Sequence, residues 1–137
     1  MTQNILVATH AHMASGLLSS LKLLTGLGDN VAHIDAYVDG NDDYSQALSD
    51  FIAQTGDQPA VIFTDLLGGS VNQKVLLAAN GHPNITVITQ TNLAVLMSAA
   101  LSTAPLTRAN LQQMVTECQV TITDVAASTD DADEEEF

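Results

Sequence analysis

Apolar residues in this chain come in two textures: short unbroken runs, and longer stretches where they recur every three or four positions. Residues 5–9 (ILVAT) form the first run, and Ala14, Leu17, Leu18, Leu21 and Leu24 then repeat at helical spacing until Gly26 and Gly28. Residues 31–35 read as a second strand, after which Asp42 or Asp43 is placed to cap a helix with Tyr44, Ala47, Leu48, Phe51 and Ile52 on its apolar face. Pro59 precedes a third run, residues 60–64 (AVIFT), and Ser70 is placed to cap a helix with Val71, Val75, Leu76 and Ala79 inside, closed by Gly81 and Pro83. Residues 85–89 form a fourth run. Thr91 or Asn92 opens a helix through Leu93, Leu96, Met97 and Ala100, which Pro105 ends. Thr107 opens a fifth helix through Leu111, Met114 and Val115, and the alternating Val120-Thr121-Ile122-Thr123 reads as a last strand.

Regular alternation of strand and helix predicts an α/β fold: a three-layer sandwich with a mainly parallel sheet and helices on both faces. With 137 residues, 46% of them hydrophobic, the chain fills one domain and not two. That domain is expected over residues 1–124, leaving residues 125–137 as an acidic, disordered tail. No apolar run approaches the roughly 18 residues of a membrane-spanning helix. The opening MTQN lacks the basic and apolar parts of a secretory signal. Cys118, the single cysteine, excludes an internal disulfide and fits a cytoplasmic protein.

Charge narrows the partners. Three basic against sixteen acidic residues give a formal net charge of −13, which argues against a nucleic-acid or anionic-membrane surface built on clustered Lys and Arg. Seven of those acids lie from Asp124 onward, so the body of the chain is only mildly acidic.

In open α/β sheets ligands sit at the carboxyl ends of the strands. His10 follows the first strand and Asp65 the third. If those strands are neighbours, the carboxylate can accept the Nδ1 hydrogen of the imidazole, fix its tautomer and leave Nε2 with a lone pair, as a nucleophile or base. Gly68-Gly69-Ser70 follows Asp65, a tight turn into a helix whose first N–H groups favour an anion. The start of the first helix, Met13 to Ser15, is expected to offer the same from the other side. A nucleophilic imidazole, an orienting carboxylate and phosphate donors at Gly68, Gly69, Ser70 and Ser15 suit a phosphohistidine carrier that needs no nucleotide, metal or other cofactor. No G-x-x-x-x-G-K-[ST] loop is present, and Gly26-Leu27-Gly28 ends a helix, so neither is a nucleotide signature.

These motifs, ATHAHMASG after the first strand, TDLLGGSVNQ after the third and TNLAVLM after the fourth, resemble the IIA component of the mannose-family sugar phosphotransferase system over residues 4–124. The resemblance implies that His10 is phosphorylated and that Asp65 orients it. It implies a donor, the histidine-containing phosphocarrier protein, and an acceptor, the IIB component, with membrane IIC and IID components downstream setting the sugar. It also implies a homodimer that exchanges its last strand, here residues 120–123, in antiparallel fashion. The chain departs from the family pattern at Ala11, commonly glycine, and at Ala94, often proline. Two other readings stay open: a small metal-dependent hydrolase with His10, His12 and Asp65 as ligands, and a non-catalytic interaction or regulatory module.

Overall fold

A computed structural model of the chain describes residues 4–128. The elements run β1 (Asn4–His10), α1 (Met13–Thr25), β2 (Ala32–Ala36), α2 (Ser45–Thr55), β3 (Ala60–Thr64), α3 (Ser70–Ala79), β4 (Ile85–Ile88), α4 (Leu93–Leu101), α5 (Arg108–Glu117) and α6 (Val125–Ser128). Among the described residues the strands form one sheet in the order β2-β1-β3-β4, with every pairing parallel.

Successive strand residues point to opposite faces, and each face is sealed by helices. Ile5 and Val7 face a cluster that includes Leu21, Phe63, Leu96 and Leu111, under α1, α4 and α5. Leu6 and Ala8 face a second cluster with Leu48, Phe51, Ile62 and Val75, under α2 and α3. Chain direction accounts for this segregation. From β1 the chain steps one way to β2, then crosses back over β1 to β3 and β4; right-handed crossovers put helices of opposite travel on opposite faces. The reversal falls between β1 and β3, so their carboxyl ends flank the crevice where such folds place ligands.

Local signals act largely as the sequence predicts. Gly26 adopts a left-handed conformation and its N–H bonds the Lys22 carbonyl, closing α1. The Asn92 side chain accepts the Val95 amide and the Thr107 side chain the Asn110 amide, capping α4 and α5. At α2 the expected aspartate cap is replaced: Tyr44 holds the cap position without a side-chain cap bond, and Asp43, one residue earlier, accepts the amide and the hydroxyl of Ser45.

Several expectations are corrected. Ser70 is the first helical residue of α3 and not its cap; Gly69 holds the cap position. Leu76, expected inside, is 50% exposed, because the buried stripe of α3 is Val71, Asn72 and Val75 and the next residue turns away from it. Ala47 is exposed for the same reason on α2, and His33 is exposed on the edge strand β2. Residues 120–123 form no strand within the chain: they pair with no sheet edge, and Val120 and Ile122 stand 88% and 99% exposed. The expected tail begins with a short helix at Val125–Ser128, and residues 129–137 lie outside the described residues.

Candidate functional site

Parallel pairing of β1 with β3, in a register that sets Ala8 opposite Thr64, carries His10 and Asp65 to the same rim of the sheet. One carboxylate oxygen, Asp65 Oδ2, lies 2.8 Å from His10 Nδ1 and accepts the His10 backbone amide, also at 2.8 Å. The other, Oδ1, accepts the Leu66 amide at 3.0 Å. Burial opposes ionisation of Asp65, but the amide and imidazole hydrogen bonds from His10 outweigh it and hold the carboxyl below the usual carboxylate range. The side chain of Asp65 is 9% exposed and that of His10 38%, so the carboxylate is fixed from behind while the ring opens to solvent.

An ionised carboxylate is an acceptor only, so Nδ1 carries the hydrogen and Nε2 the lone pair. Nε2 faces α3, with Ser70 Oγ 3.3 Å away. Gly69 lies against the ring: a Cβ there would sit 3.4 Å from His10 Cε1 and 3.3 Å from the Leu66 carbonyl. The sheet rim beneath is braced by Thr91, whose hydroxyl donates to the Thr64 carbonyl at 2.9 Å, and by the buried Asn72, whose Nδ2 donates to Thr64 Oγ1.

The expected phosphate donors are only partly free. The Gly68 amide donates to Asn72 Oδ1, and the Gly69 amide to the Leu66 carbonyl. These glycines therefore shape the turn, Gly68 at φ +77, and the open donors shift to the first turn of α3 from Ser70 onward. At the start of helix α1 the donors are largely engaged. Thr9 Oγ1 accepts the Ala14 amide, while Asp35 accepts both the amide and the hydroxyl of Ser15, at 3.0 and 2.6 Å. A carboxylate already occupies that helix start, and both donors of Ser15 are engaged by Asp35. Burial works against ionisation of Asp35, yet the Ser15 bonds and the nearby His33 and His12 keep its carboxyl below the usual range.

The three residues of the metal-site alternative do not converge. His12 turns its Nδ1 toward Asp35, at 3.6 Å, while His10 binds Asp65. Among the described residues no three His, Cys, Asp or Glu side chains are grouped to hold an ion.

Two contributors escaped the sequence reading. Asp35 ends strand two and was read only as part of it. Tyr37, just past β2, donates or accepts a 2.8 Å hydrogen bond with Ser70 Oγ, and its ring centroid lies 5.5 Å from that of His10. The rule that nominated His10 and Asp65, polar groups at strand ends, points to both once β2 is known to adjoin β1.

The fold recurs in solved structures. The mannose/sorbose-specific IIA subunit from Enterococcus faecalis aligns with a TM-score of 0.74 at 24% identity, covering 90% of this chain and 96% of that one. The IIA protein associated with a fucose utilization operon of Streptococcus pneumoniae gives 0.75 at 23%, covering 93% and 96%. The EIIA component from Streptococcus agalactiae gives 0.67 at 26%, covering 85% and 91%. No curated protein sequence matches the chain. Residues 4–128 match the family EIIA-man, described as the PTS system fructose IIA component, and the chain therefore belongs to that family of sugar phosphotransferase IIA components.

Proposed function

We propose that the protein is a phosphohistidine carrier, taking a phosphoryl group onto His10 and passing it on. The observation that carries this reading is the 2.8 Å contact between His10 Nδ1 and Asp65 Oδ2, which leaves Nε2 as the nucleophile beside the first turn of α3. In the proposed step the Nε2 lone pair forms a bond to phosphorus as the donor's N–P bond breaks, its electron pair returning to the donor histidine. The Nδ1 hydrogen stays in place, and Asp65 compensates the positive charge the ring acquires. Amides at the start of α3 and the Ser70 hydroxyl receive the phosphoryl oxygens. Positioning and fixed electrostatics supply the catalysis.

By family membership the donor is the histidine-containing phosphocarrier protein and the acceptor a IIB component in the cytoplasm, with membrane IIC and IID components beyond it. An open, 38% exposed imidazole suits exchange between proteins, since a protein-borne phosphohistidine has to reach it. The body of the domain, residues 1–124, performs this role, with residues 125–137 as an appendage. Mapping the phosphate after incubation with the phosphorylated donor tests the proposal. Label on His10, lost in His10→Ala, is the expected result; label elsewhere, or undiminished label in the variant, refutes it.

The homodimer with exchanged last strands is also proposed. Its support is an unpaired segment with Val120 and Ile122 almost fully exposed, together with an edge strand β4 whose outer side has no strand partner among the described residues. Sedimentation of the full chain and of a chain ending at residue 119 distinguishes the cases: a dimer that becomes monomeric on truncation is expected.

A further inference from the structure

We propose that Tyr37 is a positioning residue for phosphoryl transfer, acting through the Ser70 hydroxyl on the lone pair of His10 Nε2. This inference rests on the carrier reading above and goes beyond its residues.

Hydrogen-bond direction is fixed by elimination. The Nδ1 hydrogen is committed to Asp65, so Nε2 can only accept. The hydrogen in the 3.3 Å contact between Ser70 Oγ and Nε2 therefore belongs to Ser70. A serine hydroxyl has one hydrogen, so in the 2.8 Å contact with Tyr37 the phenol donates and Ser70 accepts. The chain runs from Tyr37 O–H to Ser70 O–H to Nε2.

The two links differ in strength. The phenol–serine bond is short and the serine–imidazole contact long. An arriving phosphoryl group thus draws the Ser70 hydrogen off Nε2 and onto a phosphoryl oxygen, while the Ser70 oxygen stays held by Tyr37. The nucleophilic pair is uncovered as the N–P bond forms. The Ser70 proton remains on Ser70, and the donor's bonding pair returns to the donor ring.

Independent features show that Tyr37 is held in place at some cost. Its backbone sits at φ +66, a left-handed conformation that an aromatic residue rarely adopts, and its amide bonds the Asn41 carbonyl at 2.9 Å. Tyr44, 3% exposed, meets it edge-on with ring centroids 6.1 Å apart, and the Lys74 ammonium lies 5.6 Å from the Tyr37 ring. The residue is nonetheless 42% exposed, so it is not there to fill the core.

The test compares wild type, Tyr37→Phe, Ser70→Ala and the double variant in single-turnover transfer from the phosphorylated donor. Tyr37→Phe keeps the ring and its packing, and should lower the maximal rate about three- to tenfold with the half-saturating donor concentration unchanged. The double variant should be no slower than Ser70→Ala alone. A Tyr37→Phe rate equal to wild type, a change confined to half-saturation, or effects that multiply in the double variant overturns the proposal. A donor-free measurement separates it from the carrier reading: the 15N shift of His10 Nε2 should move in Tyr37→Phe as in Ser70→Ala. Wild type that takes no label on His10 overturns the carrier reading; an unmoved Nε2 shift overturns the role of Tyr37 whatever the labelling.

Discussion

Replacing Asp65 with asparagine tests the centre of the proposed chemistry, because the side chain keeps its shape and loses only charge and one acceptor. In the native site Oδ2 accepts two hydrogen bonds from His10 and Oδ1 accepts one from Leu66. Asparagine has one oxygen. If that oxygen faces His10, its NH2 group opposes the Leu66 amide, donor against donor. If it faces Leu66, the NH2 group opposes the His10 amide and favours the tautomer with hydrogen on Nε2, which removes the nucleophile. The lost charge matters most once the ring is phosphorylated and positive. Opposite charges centred about 4 Å apart attract by about 4 kcal/mol at an effective dielectric of about 20. The ring is 38% exposed, so solvent screens part of this, and a charged hydrogen bond of about 2–3 kcal/mol is the working figure. That corresponds to about a 30- to 150-fold slower transfer onto His10. Single-turnover transfer from the phosphorylated donor measures it, with 15N spectroscopy reading the tautomer. Transfer within threefold of wild type, with the native tautomer retained, would refute the reasoning.

Other outcomes follow from the same geometry. Gly69→Ala should fold, since φ −67 and ψ 164 suit any residue, but its methyl would press on the His10 ring and slow transfer by about tenfold or more with little change in thermal melting. Ala11 sits at φ +52, so Ala11→Gly should relieve about 1–2 kcal/mol of left-handed strain against a chain-entropy cost of about 0.4–1 kcal/mol, raising the denaturant midpoint modestly. Asp35→Ala should cost about 1–2 kcal/mol in a urea titration, as the Ser15 amide loses its acceptor at the start of α1. Asp35 and Asp65 both ionise below the usual value of 3.8, so their stabilisation is complete above that value and lost as pH falls through their lower folded values. Acid unfolding of Asp35→Ala should accordingly depend less on pH in that window than wild type does.

Much of the architecture was legible because it follows from local patterning. The apolar runs at residues 5–9 and 60–64 became central strands buried on both faces, helical stripes became the covering layers, and Gly26, Asn92 and Thr107 ended or began helices as their chemistry dictates. His10 and Asp65 were legible as polar residues directly after such runs, and Gly68-Gly69 as a tight turn into a helix. Those properties depend on a residue and its near neighbours in the chain.

What tertiary structure decided is which groups meet and which donors are already taken. Ser15 looked free until β2 brought Asp35 to the start of α1. Tyr37 gained its place only from the order of the sheet, which sets β2 beside β1 and turns the chain back over the rim. Residues 120–123 have a strand's alternation yet pair with no edge among the described residues, although the outer side of β4 is open. A hydrogen bond needs two partners a few ångströms apart, and when they lie tens of residues apart in sequence only the fold fixes that distance.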